Sequence, residues 1–113
     1  ALKHSGEMYD RRMQLQSAGI NLFALIAAVC RWRDIDDKVI AGPTKRLEIA
    51  RARALVSYTA TRNLSISGSE VARRLNVDRS AVSREVQRVS RDPESIAAAK
   101  TLLGLLELET SQH

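Results

Sequence analysis

The sequence predicts an all-α protein, a bundle of several helices built as one domain. Three observations carry that prediction. Apolar residues recur at helical spacing along most of the chain, and nowhere do they alternate in a sustained run bounded by turn residues, as a strand requires. Only two prolines occur, and Pro43 and Pro93 both fall where a helix would stop or start. Residues that favour helix starts, Asn21, Thr44, Ser67, Asp78 and Asp92, each stand just ahead of an apolar-periodic segment. At 113 residues the chain can build a modest core without crosslinks, and aliphatic side chains must supply it because aromatics make up only 4%.

Taken in order, residues 1–19 read as a polar arm or linker helix. The stretch "SGEMYDRRMQLQ" has few apolar anchors, and "SAG" ends it. A polar opening without Met fits a module cut from a longer protein. Asn21 is then placed to cap a helix reaching about Arg33, with Leu22, Phe23, Ile26, Ala27 and Cys30 on one broad apolar face. Trp32, at the end of that helix, is expected to close the core rather than to stack on a base. Cys30 is the single cysteine, so an internal disulfide is excluded, and its neighbours Ala27, Ala28 and Val29 point to a buried, inert thiol. A reducing, cytoplasmic setting is the expectation that follows.

In "DIDDKVIAGPTKR", Asp36 and Asp37 suit the first turn of a short helix that buries Val39 and Ile40 and stops at Gly42-Pro43. Two acids without further ligands beside them read as helix-start residues, not as a metal site. Thr44 is expected to cap a long helix running to about Asn63. Its stripe of Leu47, Ala50, Ala54, Tyr58 and Thr61, widened by Leu55, Val56 and Ala60, is that of a central helix contacted from more than one side. Ser67 and Glu70 have the spacing of a capping box. Asp92, Pro93 and Glu94 open the last helix, over residues 92–113. That helix carries Ile96, Ala97, Ala98, Ala99, Leu102, Leu103, Leu105, Leu106 and Leu108, too many for one face. It is expected to touch two surfaces: its own domain, and either a second copy or another domain of a parent protein.

Charge is distributed unevenly. Residues 44–91 hold eleven basic and four acidic side chains, a net +7, whereas residues 1–43 net +1 and residues 92–113 net −3. A positive middle segment is what a polyanion-binding surface requires, and what a solvated basic face also shows.

The stretch "SEVARRLNVDRSAVSREV" separates these alternatives. Its apolar positions are Val71, Ala72, Leu75, Val77, Val82 and Val86. In a tight helix-turn-helix the first helix needs a small residue where the second crosses it, and Ala72 is small. Asn76 stands where the turn needs a left-handed residue, and Asp78 is placed to cap the second helix. With the apolar set facing inward, Arg79, Ser80, Ser83, Arg84 and Gln87 point outward. Arg and Gln make bidentate hydrogen bonds to guanine and adenine in the major groove, and Ser adds short contacts. Arg73, Arg74 and Arg88 lie beside that face, suited to phosphates. The expected organisation is therefore a helical DNA-binding domain at 20–91, with a helix-turn-helix at 67–91. One position runs against the pattern: Glu85 stands where many such units keep an apolar residue.

The order of parts resembles the C-terminal DNA-binding domain of the bacterial replication initiator DnaA. The parts are "INLFALIAAVCRW", the basic loop "GPTKR", the long helix "LEIARARALVSYTATRNL", and the helix-turn-helix, over roughly residues 20 to 90. Domains of this kind are also appended to REP-associated tyrosine transposases, and "ARALVSYTATRNLSISGSEVARRLNVDRSAVSREV" is similar to those. The resemblance implies that Lys45 and Arg46 reach a minor groove or adjacent phosphates while the helix beginning near Arg79 enters the major groove. Arg51 and Arg53, the Arg-x-Arg pair of the long helix, join the backbone-contacting set. The initiator's Arg-Asp-His-Thr-Thr signature is absent: "NVDRSAVS" keeps Asp78 but has Arg79 and Ser80 in a shorter turn. The initiator's own origin box is therefore not the expected target.

The sequence thus predicts duplex DNA as partner, a bacterial nucleoid setting, and a targeting module of a transposase-like protein or a small regulator. No segment reaches the length of a membrane span. No P-loop and no His-hydrophobic-His metal motif occurs, His4 and His113 lie near opposite ends, and Tyr58 belongs to the central apolar stripe. No catalysis, cofactor or metal is expected. The rival expectation is an interaction or dimerisation module acting through the Leu-rich last helix.

Overall fold

The computed structural model describes residues 21–111, and the polar arm expected over residues 1–19 lies outside them. The described residues are helical, with no strand. The helices are α1 (Leu22–Arg33), α2 (Asp37–Ile40), α3 (Leu47–Tyr58), α4 (Gly68–Leu75), α5 (Arg79–Ser90) and α6 (Pro93–Ser111). The last turn of α3 widens into a π-helical turn over Thr59–Asn63.

α1 starts as its sequence dictates, with the Asn21 side chain accepting the Ala24 N–H at 2.9 Å. It ends on Asp34 in the left-handed region (φ 55°), where the N–H groups of Asp34 and Ile35 return to the carbonyls of Arg31 and Cys30. The buried face differs from the expected one. Leu22, Leu25, Ala28, Val29 and Cys30 are buried, whereas Phe23 is 64% exposed and Ile26 and Ala27 lie at the edge. Apolar residues surround this helix, so periodicity alone admits either rotation. Trp32 packs against the core as expected, with the Arg33 guanidinium 4.2 Å from its ring centroid. Burial raises the Cys30 thiol pKa, and the nearby Asp37 and Asp36 charges add to the effect. In α2 the Asp36 carboxylate accepts the Lys38 N–H at 2.9 Å, which holds it below the usual carboxylate range, and Ile40 is buried.

α3 is the central helix and packs on α1, α2, α4, α5 and α6. Its buried set, Ile49, Ala52, Ala54, Leu55, Val56 and Ser57, spreads over more than one face; of the expected stripe Ala54 is buried, Ala50, Tyr58 and Thr61 are half-buried, and the widening residues Leu55, Val56 and Ala60 are buried. Leu47 is instead 62% exposed. Thr44 does not cap α3. The helix begins at Leu47 behind Arg46, without a side-chain cap, and the Thr44 hydroxyl accepts the Arg46 N–H at 3.3 Å. At the other end the π-helical turn leaves Thr59 Oγ1 and Asn63 Oδ1 buried without a hydrogen-bond partner. An unpaired buried hydroxyl costs about 1–3 kcal/mol. Thr59→Val keeps the shape and removes the hydroxyl, so it is expected to raise stability by about 1 kcal/mol. The urea midpoint measures this, and a clear loss of stability would mean that the hydroxyl is bonded.

α6 folds back onto α1, α3 and α5. Ala99, Leu102, Leu103 and Leu106 are buried inside the chain, leaving Leu108 as its one large apolar side chain exposed above half, at 61%. The domain itself thus meets this helix from three others, while Leu105 stays half-buried. Its start matches the sequence: Asp92 accepts the Glu94 N–H at 3.3 Å and the Ser95 hydroxyl at 2.6 Å. Among the described residues no helix is long and apolar enough to cross a membrane.

Candidate nucleic-acid interface

α4 and α5 form a compact pair joined by Asn76, Val77 and Asp78. Ser67 Oγ accepts the Glu70 N–H at 3.2 Å and starts α4. Asn76 ends it in the left-handed region (φ 57°, ψ 47°), where the N–H groups of Asn76 and Val77 return to the carbonyls of Arg73 and Ala72. Asparagine tolerates this conformation better than other residues with a Cβ. Val71, Ala72 and Leu75 of α4 and Val82, Val86 and Val89 of α5 are buried, with Val77 packed at the edge. Asp78 occupies the N-cap position of α5 without a side-chain cap, and its carbonyl takes the N–H groups of Ala81 and Val82.

Burying those valines turns the opposite face of α5 to solvent. Arg79, Ser80, Ser83, Arg84 and Gln87 are all exposed. Ser80, Arg84 and Gln87 follow one another at helical spacing and form a single stripe, with Ser83 beside it. Arg79 lies at the edge, its Cγ 4.0 Å from where a Cβ on Gly68 would stand. The stripe runs on to exposed Arg91, four residues past Gln87 and at the C-cap of α5. Sequence reasoning omitted Arg91 by stopping at the middle of the helix, although the spacing reaches it.

The expected backbone-contacting cations fall into separate groups. Arg51 and Arg88 line a cleft of about 500 Å3 between α3, α5 and α6. Arg33 joins them there, on the C-terminal turn of α1, while Asp92 and Glu94 line the cleft from the α6 side. Arg33 was missed because only the fold brings the end of α1 to this place. Glu85 pairs with Arg88 at 2.5 Å, which explains the charged residue at that position and partly neutralises Arg88. Lys45 and Arg46 are exposed in the loop before α3, Arg46 pairs with Glu48, and Leu47 already lines the cleft. Arg73 is exposed on the last turn of α4. Arg74 is not gathered with the cleft residues: its guanidinium lies 5.5 Å from the Phe23 ring centroid.

No family model and no curated protein sequence matches this chain. Arg53 is the clearest departure from expectation. Its guanidinium is half-buried and donates from Nε to the Ile40 carbonyl at 2.6 Å, from Nη2 to the Gly42 carbonyl at 2.5 Å and from Nη1 to the Thr44 carbonyl at 3.1 Å. Three of its five N–H donors are thus committed to the chain's own carbonyls, which sets Arg53 apart from the cations expected to meet a phosphate. Among the described residues there is no group of three His, Cys, Asp or Glu side chains able to hold a metal.

Proposed function

We propose that this chain is a helix-turn-helix DNA-binding domain that recognises duplex DNA, with α5 in the major groove. The observation that carries the proposal is the exposed Ser80, Ser83, Arg84 and Gln87 face on a helix that the left-handed Asn76 sets against α4. These side chains match donor and acceptor patterns on base edges, and the helix offers them on its solvent side. Arg79, near the N-terminus of α5, extends the base-contacting set. Lys45, Arg46, Arg51, Arg73, Arg74 and Arg88 supply backbone attraction, joined by Arg33 and Arg91. The resemblance to the DnaA C-terminal domain and to the domains appended to REP-associated tyrosine transposases supports the same reading, through the order of basic loop, long helix and helical pair. The role that follows is targeting: the domain delivers a larger transposase-like protein, or acts alone as a small regulator in the bacterial nucleoid.

The interaction-module reading loses its main support, because most of the leucines of α6 are already buried against α1, α3 and α5. Selection from a random duplex library at near-physiological salt tests the proposal. An enriched motif is expected, and its symmetry reports whether one or two copies bind. Salt-labile binding without enrichment would reduce the domain to an electrostatic anchor. No binding would sink the proposal.

A further inference from the structure

We infer that Arg53 is the positioning residue of the basic loop: it fixes the segment that carries Lys45 and Arg46 without itself touching the polyanion. The inference rests on the DNA-binding reading above and concerns how that site is held. Within the loop between α2 and α3 the local bonds are short-range turns, the Gly42 N–H to the Val39 carbonyl at 3.0 Å and the Arg46 N–H to the Thr44 hydroxyl at 3.3 Å. α2 has only four residues, and α3 starts without a side-chain cap. What ties the loop to the body of the fold is one guanidinium, reaching out of α3 to the carbonyls of Ile40, Gly42 and Thr44. These are alternate residues along the strand of chain that turns from α2 into the basic segment. Ile40 is the last residue of α2, so Arg53 also satisfies a carbonyl that the helix end leaves open.

The three acceptors are neutral and stand on separate residues, which selects a planar fork over a point charge. A lysine carries the same charge but gathers its donors on one atom, and cannot span three such carbonyls. The cation therefore serves by shape and not by net charge. Thr44, the outermost carbonyl it holds, immediately precedes Lys45 and Arg46. Gly42 makes the path tight, since a Cβ there would stand 3.3 Å from the Val39 carbonyl oxygen and 3.4 Å from that of Lys38.

Arg53→Lys separates the two roles, because it retains the charge and loses the fork. The measurement is affinity for nonspecific duplex DNA as a function of salt, for wild type, Arg53→Lys, the pair Lys45→Ala with Arg46→Ala, and the triple variant. Arg53→Lys is expected to weaken binding about tenfold and to lower the salt slope by about two, the loss of two phosphate contacts. The triple variant should bind no worse than the Lys45→Ala, Arg46→Ala pair, since a misplaced loop has nothing further to lose. Arg53→Lys binding with wild-type affinity and slope would overturn the inference, as would a loss that adds fully to that of the pair. Should thermal melting show Arg53→Lys to be unfolded, Gly42→Ala crowds the same turn with Arg53 intact, and a smaller loss of slope in the same direction is expected, an unchanged slope overturning the inference. A wild-type chain without salt-sensitive binding would instead fail at the DNA-binding reading itself, and the inference would fall with it.

Discussion

Leu102→Ala is expected to destabilise the fold by about 2–5 kcal/mol, the range for emptying a fully buried leucine site. Leu102 has no exposed surface and sits in the main core with Leu25, Val56 and Leu106. It belongs to α6, which packs on three helices at once, so the surroundings have little freedom to collapse into the space. At about 4–8 °C of melting temperature per kcal/mol for a domain of this size, the loss is large enough to threaten folding at 37 °C. Leu108→Ala is the matched control on the same helix. Leu108 is 61% exposed, and its removal is expected to stay within about 0.5 kcal/mol. Thermal and urea melts of both variants decide the matter. If Leu102→Ala melted like the wild type, α6 would not be part of the core, and the last helix would again be available as an interaction surface.

The outcome for α6 shows what a sequence pattern can and cannot convey. Its excess of leucines implied contact on more than one side, and Leu102, Leu103 and Leu106 find theirs within the domain, against α1, α3 and α5. The features legible beforehand are those whose cause is local. Asn21, Asp36, Ser67 and Asp92 each meet the N–H of a residue two or three positions on, and Asn76 takes up its left-handed conformation within a single turn. The features that escaped are set by partners far along the chain. Thr44 has the chemistry of a cap, yet its carbonyl is drawn to Arg53 nine residues away and α3 begins later. Arg53 reads as one more surface cation until the carbonyls of Ile40 and Gly42 are found around it. Phe23 reads as core, but the buried face of α1 is set by how that helix lies on α3 and α6. For the candidate site the same division holds. The exposed face of α5 follows from Val82 and Val86 alone, whereas the cleft joining Arg33, Arg51 and Arg88 depends on three separate helices meeting.

Arg84→Ala is expected to leave stability unchanged within about 0.5 kcal/mol and to weaken binding to a preferred duplex by about 1–3 kcal/mol. Both halves follow from its position. Arg84 is exposed in the middle of α5, in the stripe with Ser80 and Gln87. Because it contributes nothing to the core, its removal costs the fold nothing, and any loss of binding reports on contacts outside the chain. An arginine paired to a guanine edge contributes discrimination at one base pair, so preference there should relax while preference elsewhere in the motif persists. Arg73→Ala supplies the contrast. Arg73 is exposed on α4, outside the Ser80, Arg84 and Gln87 stripe, and a phosphate contact from it would carry no sequence information. Its loss should weaken all duplexes alike and lower the salt slope by about one. The pair of variants thus separates reading from attraction on adjoining helices. Arg84→Ala with affinity and preference both intact would mean that α5 does not enter the groove, whatever the charge of the surface around it.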